Sequence, residues 1–280
     1  MRLTLGISSC PNDTFVFDAL IHGKVDTEGL SFGLVVSDVE DLNRKALSAH
    51  CDISKISYSV YPLISDNYML MNSGSALGRG NGPMVVGKTL FPREAFTDLR
   101  IAIPGKNTTA NLLFTIFFPD ATKKTEYLFS EIENAILNEE ADAGVIIHES
   151  RFTYQEKGLL KIADLGEMWE LSTGNPIPLG GIVGKRDLGD EVLMKIDRVI
   201  RRSVEFAFHH PDSSRSFVKQ YASDLDDRVI DQHINLYVNG FTASLGSEGE
   251  QAVRELFGNA HRVGLIPLLP VEIFVHKYAN

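Results

Sequence analysis

Apolar positions along this chain switch between the two-residue period of strands and the longer period of helices. Leu3–Ile7 predicts a first strand, and Cys10-Pro11-Asn12-Asp13-Thr14 follows as a turn rich in helix-capping residues. Phe15 to His22 predicts a short helix closed by Gly23. Ser31–Ser37 predicts a second strand, after which Asp38 caps a helix carrying Leu42, Ala46 and Leu47 at helical spacing. Asp52–Ile56 and Tyr68–Met71 predict two further strands. This β-α-β-α-β order implies a mostly parallel sheet with helices on its faces.

A second run of the same kind begins near Arg100. Strands are expected at Arg100–Ile103, Lys124–Leu128, Ala143–Ile147 and Leu159–Asp164. Between them, Pro104-Gly105-Lys106-Asn107-Thr108-Thr109 turns into a helix over Ala110–Phe118. Ser130 is expected to cap a helix ending at Leu137, with Glu133 completing a capping box. From Asp190 onward the pattern is helical, with Val192, Ile196, Val199, Ile200 and Val204 on one face. Further helices are expected near Ser213–Tyr221 and Asp227–Asn239.

Two short apolar segments flanked by glycine, Pro83–Gly87 and Pro178–Gly184, look like crossovers between lobes. The expected plan is a two-lobed α/β fold of the type II periplasmic-binding-protein kind, with a ligand cleft between the lobes. Residues 1–87 with 186–280 would form lobe one, and residues 88–185 lobe two.

Composition narrows the function. The chain has 280 residues, 44% of them hydrophobic and 23% charged, which suits an ordinary folded protein. Its 27 Lys and Arg against 37 Asp and Glu leave a net charge of −10. Such a surface repels phosphate backbones and anionic lipid, so neither nucleic acid nor membrane is an expected partner. No apolar run approaches the roughly 18–20 residues of a spanning helix, and the N-terminus lacks the core of a signal peptide. Two cysteines, Cys10 and Cys51, are too few for a disulfide framework, and a cytoplasmic location is the expectation.

Ligands of open parallel sheets sit beyond the carboxyl ends of strands, where helix N-termini favour anions. The strand exits here are Ser8–Thr14, Ser54–Ser57, Lys106–Thr109 and His148. Each has a plainer reading. Asn12, Asp13 and Thr14 are good caps, Thr108 and Thr109 suit a helix start, and Lys55 suits a solvated surface. The Thr108-Thr109 hydroxyls equally suit a carboxylate.

His148 is the sharpest candidate, because a neutral imidazole with a pKa near 6.5 is a natural base and a helix N-terminus would hold that pKa down. Its plain alternative is a cap or a packed turn residue. His22, His209 and His210 read as cationic side chains at helix ends, His50, His233, His261 and His276 show no partner at metal-ligand spacing, and no metal site is expected. Gly78-Arg79-Gly80-Asn81-Gly82-Pro83 lacks the ending of a phosphate loop, leaving Arg79 as a carboxylate contact or the segment as a flexible hinge entry. Trp169 reads as a packing residue or as an aromatic wall of the cleft. Cys10 reads better as a small buried hydrophobe than as a cleft residue.

Several ordered motifs carry a resemblance. They are Gly6-Ile7-Ser8-Ser9-Cys10-Pro11-Asn12-Asp13-Thr14-Phe15, Asp52–Tyr58, Gly78–Pro83, Ile103–Ala110, Gly144–Glu149 and Gly174–Gly181. Together they resemble the 1,4-dihydroxy-6-naphthoate synthases of the futalosine route to menaquinone. The match covers the N-terminal two-thirds well and the helical tail loosely. The resemblance implies a cytoplasmic lyase that splits cyclic dehypoxanthine futalosine without a cofactor. It implies His148 as proton acceptor, and Lys55, Ile56, Ser57, Thr108 and Thr109 as contacts of a small carboxylate substrate. The rival expectations are a chorismate dehydratase-like lyase of the same pathway and a non-catalytic small-carboxylate binding protein. A DNA-binding regulator of this fold would need a segment ahead of the first strand.

Overall fold

A computed structural model describes residues 1–266 and 268–275. Its first sheet is built from β1 (Arg2–Ser8), β2 (Ser31–Ser37), β3 (Ile53–Ser57), β4 (Tyr68–Leu70) and β5 (Ala76–Gly78). The second contains β6 (Met84–Gly87), β7 (Ile101–Ile103), β8 (Lys124–Glu126), β9 (Ala143–Ile146) and β10 (Leu160–Asp164). A long strand, β11 (Ile177–Lys185), returns to the first sheet, giving the orders β2-β1-β3-β11-β4, with β5 also on β11, and β10-β6-β9-β7-β8.

Helices α1 (Pro11–Ile21), α2 (Val39–Leu47) and α3 (Tyr61–Ile64) belong to the first unit. The second carries α4 (Thr109–Phe117), α5 (Ile132–Leu137), α6 (Ser150–Thr153) and α7 (Leu165–Thr173). After β11 come α8 (Asp190–His209), α9 (Arg215–Tyr221), α10 (Asp227–Tyr237), α11 (Gly240–Ala243) and α12 (Gly246–Arg262). His276 lies outside the described residues.

The two lobes are as expected, but the sheets are mixed rather than mostly parallel. β1 pairs in parallel with β2 and β3, and β7 with β8 and β9. The crossover strands run against them: β11 is antiparallel to β3, β4 and β5, and β6 to β9 and β10. The crossover strands lie inside their sheets, and a short apolar run carries no sign of its direction. Sheet membership also moves Met84–Gly87 into the second unit and Ile177–Lys185 into the first, relative to the expected limits at residues 87 and 185.

Packing follows the sequence pattern where the pattern was strong. Leu193, Ile196, Val199, Ile200, Val204 and Ala207 form the buried face of α8, which packs with α1. Asp38 caps α2 by accepting from the amides of Glu40 and Asp41. One large core continues from Ile56 and Tyr58 in the first unit to Ile103, Leu113 and Trp169 in the second. The Trp169 ring is buried and its Nε1 donates to the Pro176 carbonyl at 3.1 Å, so it is a packing residue.

Two capping expectations fail. Helix α1 starts at Pro11, with Pro supplying the fixed φ of a first turn, so Asn12, Asp13 and Thr14 lie inside it. Ser130 sits in a short 3₁₀ turn, and α5 begins after it without a side-chain cap. Glu133 instead turns inward to Ser150 Oγ at 3.2 Å and Lys157 Nζ at 2.7 Å.

Among the described residues no helix is long and apolar enough to cross a membrane.

Candidate functional site

All four predicted strand exits meet at one cleft between the two sheets. The cleft encloses a cavity of about 80 Å³ and is lined from the first unit by Ser8, Asn12, Lys55 and Ser57, and from the second by Thr108, Thr109 and His148. Strand alternation sorts β3: Lys55 and Ser57 face the cleft, whereas Ile56 points the other way, is fully buried in the core and pairs with Gly181. Ile56 is therefore no part of the lining, contrary to expectation.

Lys55 is not a solvated surface residue. It is 5% exposed and pairs closely with Asp13, which is fully buried. Gly180 makes room for it, since a Cβ there would stand 3.1 Å from Lys55 Cε and 2.8 Å from the Ile56 carbonyl oxygen. Asp13 is the centre of a network. Its Oδ2 accepts from the Ser8 amide at 3.1 Å and the Ser8 hydroxyl at 2.8 Å, and its Oδ1 from Asn12 Nδ2 at 2.9 Å.

The Asn12 amide is thereby oriented, and its Oδ1 accepts from His233 Nε2 at 2.9 Å. A carbonyl oxygen cannot donate, so His233 carries its proton on Nε2. Burial lowers the His233 pKa well below its usual value, and the charges of His148 and Lys55 push the same way. The His148 and His233 rings stack in near-parallel planes with centroids 6.1 Å apart.

His148 follows β9 in the left-handed region, at φ 57°, an uncommon conformation for a residue with a side chain. Its ring meets Phe129 edge-on at 4.8 Å, and the Cys10 sulfur lies 3.4 Å from its Nδ1. Burial pulls its pKa down to about 4; the Asp13 charge opposes this and the Lys55 charge adds to it. The expected cause was a helix N-terminus, but α6 is a single turn beginning two residues later, so desolvation is the cause. The imidazole is neutral at pH 7 and a weaker base than an unperturbed histidine.

The threonine pair behaves as a helix start. Thr108 Oγ1 caps α4 by accepting from the Asn111 amide at 3.2 Å, and donates to the Gly105 carbonyl at 2.8 Å. Thr109 Oγ1 donates to the Leu179 carbonyl at 2.7 Å. Both hydroxyl protons are spent within the protein. What these residues present to a ligand is the first backbone N–H groups of α4, which have no intrahelical acceptor. Ser57 differs: its Oγ accepts from Asn43 Nδ2 at 3.0 Å, and its own proton has no acceptor among the described residues.

The cleft mouth is bridged on one side. Glu40 of α2 accepts from Asn107 Nδ2 at 2.6 Å and from the Asn107 amide at 3.2 Å, while Arg44 pairs with Glu126 at 2.8 Å. Burial raises the Glu40 pKa against the pull of those hydrogen bonds. Arg79 is no carboxylate contact in the cleft: it is exposed, donates to the Gly174 carbonyl at 3.0 Å and pairs with Glu248 at 3.2 Å.

Sequence reasoning missed Asn81 and Tyr237, which line the cleft, and His233 behind it. Asn81 lies in the glycine-rich Gly78–Pro83 motif, where only Arg79 was singled out, whereas His233 and Tyr237 belong to a helix with no local signature. Their roles depend on which strand exit the C-terminal helices cover. Among the described residues no group of three or more His, Cys, Asp or Glu is placed to hold a metal ion.

A family model described as menaquinone biosynthesis matches residues 3–262. A 1,4-dihydroxy-6-naphthoate synthase of Thermus thermophilus is 43% identical over 273 residues, covering 98% of this chain and 99% of that protein. The Streptomyces coelicolor enzyme of the same name is 43% identical over 275 residues, covering 95% of each. Among solved structures, a protein of Archaeoglobus fulgidus superposes with a TM-score of 0.89 at 36% identity, covering 95% of this chain and 98% of that one. An alkanesulfonate-binding protein of Xanthomonas axonopodis, 12% identical, superposes with a TM-score of 0.69 over 98% of this chain and 96% of its own; that likeness concerns the fold alone.

Proposed function

The chain belongs to the menaquinone-biosynthesis family, and we propose that its step there is the one its named relatives carry, the lyase reaction that converts cyclic dehypoxanthine futalosine to 1,4-dihydroxy-6-naphthoate. The observation that carries the mechanism is the placing of His148 on the same cleft as Lys55, Ser57 and the start of α4. A base thereby faces a wall of hydrogen-bond donors.

The substrate carries an aryl carboxylate and a cyclic ketone fused to a sugar-derived ring. His148 takes the proton next to the ketone, and the electron pair left behind moves onto the carbonyl oxygen as an enolate. Ser57 and the α4 amides donate to that oxygen or to the carboxylate, and Lys55 supplies positive charge. Collapse of the enolate expels the sugar-derived fragment with its bonding pair, the His148 imidazolium returns its proton to that fragment, and aromatisation of the bicyclic ring drives the step forward. A buried imidazole is by itself a weak base, yet an anion developing beside it favours the imidazolium and strengthens proton transfer as the reaction proceeds. The Glu40–Asn107 contact holds the lobes together and keeps water from the enolate.

The test compares wild type with His148→Ala on cyclic dehypoxanthine futalosine, following the naphthoate by absorbance and mass. Turnover by wild type and a fall of about 10²-fold or more in the variant are expected. An unimpaired variant would remove His148 as the base. Binding without product in wild type would replace the lyase reading with that of a binding protein.

A further inference from the structure

Asn81 stands on the cleft with a side-chain amide to which the described residues offer no partner. It lies in the glycine-rich turn after β5, is fully buried and lines the cleft, yet neither Nδ2 nor Oδ1 has a hydrogen-bond partner among the described residues. Packing holds the amide in place, since a Cβ on Gly78 would stand 2.8 Å from Asn81 Nδ2. The neighbouring Asn239 amide is spent on the Leu77 carbonyl at 2.9 Å.

Buried amides are nearly always paired, so two orphan atoms on a ligand cleft point to a ligand that pairs them. One atom needs an acceptor and the other a donor. A carboxylate offers acceptors only and would face Oδ1 with another negative oxygen. A hydroxyl, or two neighbouring hydroxyls, offers both. We propose that Asn81 is a specificity-determining residue that reads hydroxyl groups on the sugar-derived part of the substrate, while the carboxylate goes to the Lys55, Ser57 and α4 wall. This inference rests on the synthase reading given above.

The experiment uses Asn81→Leu, which keeps the number and branching of the side-chain heavy atoms and removes both polar atoms. Three quantities are measured: kcat/KM for cyclic dehypoxanthine futalosine, inhibition by 1,4-dihydroxy-6-naphthoate, and the ligand-free melting temperature. The naphthoate keeps the carboxylate but lacks the sugar-derived part. The expected result is a fall of about 10- to 100-fold in kcat/KM, with naphthoate inhibition within about twofold of wild type. The melting temperature should hold or rise, because an unpaired buried amide has been replaced by an apolar group.

Equal weakening toward substrate and naphthoate would overturn the inference, as would unchanged kinetics in an active enzyme. A melting temperature that falls in step with activity would show a structural role and overturn it too; Asn81→Ser, which retains one donor and one acceptor, should then fail to restore discrimination. An inactive wild type would instead overturn the synthase reading on which the inference stands.

Discussion

The sulfur of Cys10, at the foot of α1, lies 3.4 Å from Nδ1 and 3.8 Å from Nε2 of His148 at the end of β9. The two residues are 138 positions apart in the chain, and their contact joins the two lobes at the back of the cleft. Burial pushes the thiol pKa far up, the Glu149 charge adds to this, and the hydrogen bond with Ser8 opposes it. Cys10 therefore meets the imidazole as a neutral thiol within hydrogen-bond distance of Nδ1.

A protonated, buried thiol is a poor nucleophile. Cys10→Ala should keep turnover within about tenfold of wild type, since it removes packing and not a reacting group. Native protein at pH 8 should lose activity to iodoacetamide far more slowly than a free thiol reacts. Rapid inactivation traced to Cys10 by peptide mass mapping would contradict the assignment of a neutral thiol.

The low pKa of His148 makes stability depend on pH with a definite sign. The unfolded imidazole titrates near 6.5 and the folded one at about 4, so between these values the unfolded state binds more protons. Stability should be unaffected by this group above pH 7, and should fall as the pH drops from 6.5 toward 4. Its full contribution is about 3 kcal/mol. Urea denaturation across that range should show a shallower fall for His148→Asn than for wild type. Parallel curves would mean that the folded imidazole is not depressed. Likewise, kcat/KM should stay flat from pH 7 down to about 5.5 if His148 is the base.

The buried pair of Asp13 and Lys55 should be asymmetric under mutation. Asp13→Ala strands a buried ammonium and also frees the Ser8 and Asn12 donors. The expected cost is about 3–5 kcal/mol in chemical denaturation. Adding Lys55→Met to the same chain should recover much of that loss, because the uncompensated charge is gone. Activity should not return with stability, since Lys55 faces the ligand. A double variant no more stable than the single one would show that the ion pair does not govern the folding of this wall.

How much of this was legible beforehand depended on how local each cause is. β2 was read at its observed limits, and the amphipathic stripe of α8 needed only period counting within one segment. The four strand exits were also readable, because a βα turn announces itself through small and polar residues beside an apolar run. Side-chain direction within those exits was less so. Ile56 was grouped with Lys55 and Ser57 through the resemblance, and only the pleat of β3, set by its pairing with β1 and β11, turned it to the core. Asn12, Asp13 and Thr14 looked like caps because cap propensity is local. The buried Lys55 ammonium, 42 residues away, set the use of Asp13 as a counter-ion instead.

The amino-acid sequence by itself determined that this chain is a two-lobed α/β protein with acidic net charge and helix starts gathered at strand ends, because periodicity, capping and composition act over a few residues. Tertiary structure alone decided which polar groups are spent and which are free. It committed both threonine hydroxyls to carbonyls, set His233 behind His148, lowered the His148 pKa by burial and left the Asn81 amide without a partner among the described residues. Those properties follow from desolvation and from hydrogen bonds between residues distant in the chain, and no local pattern encodes either.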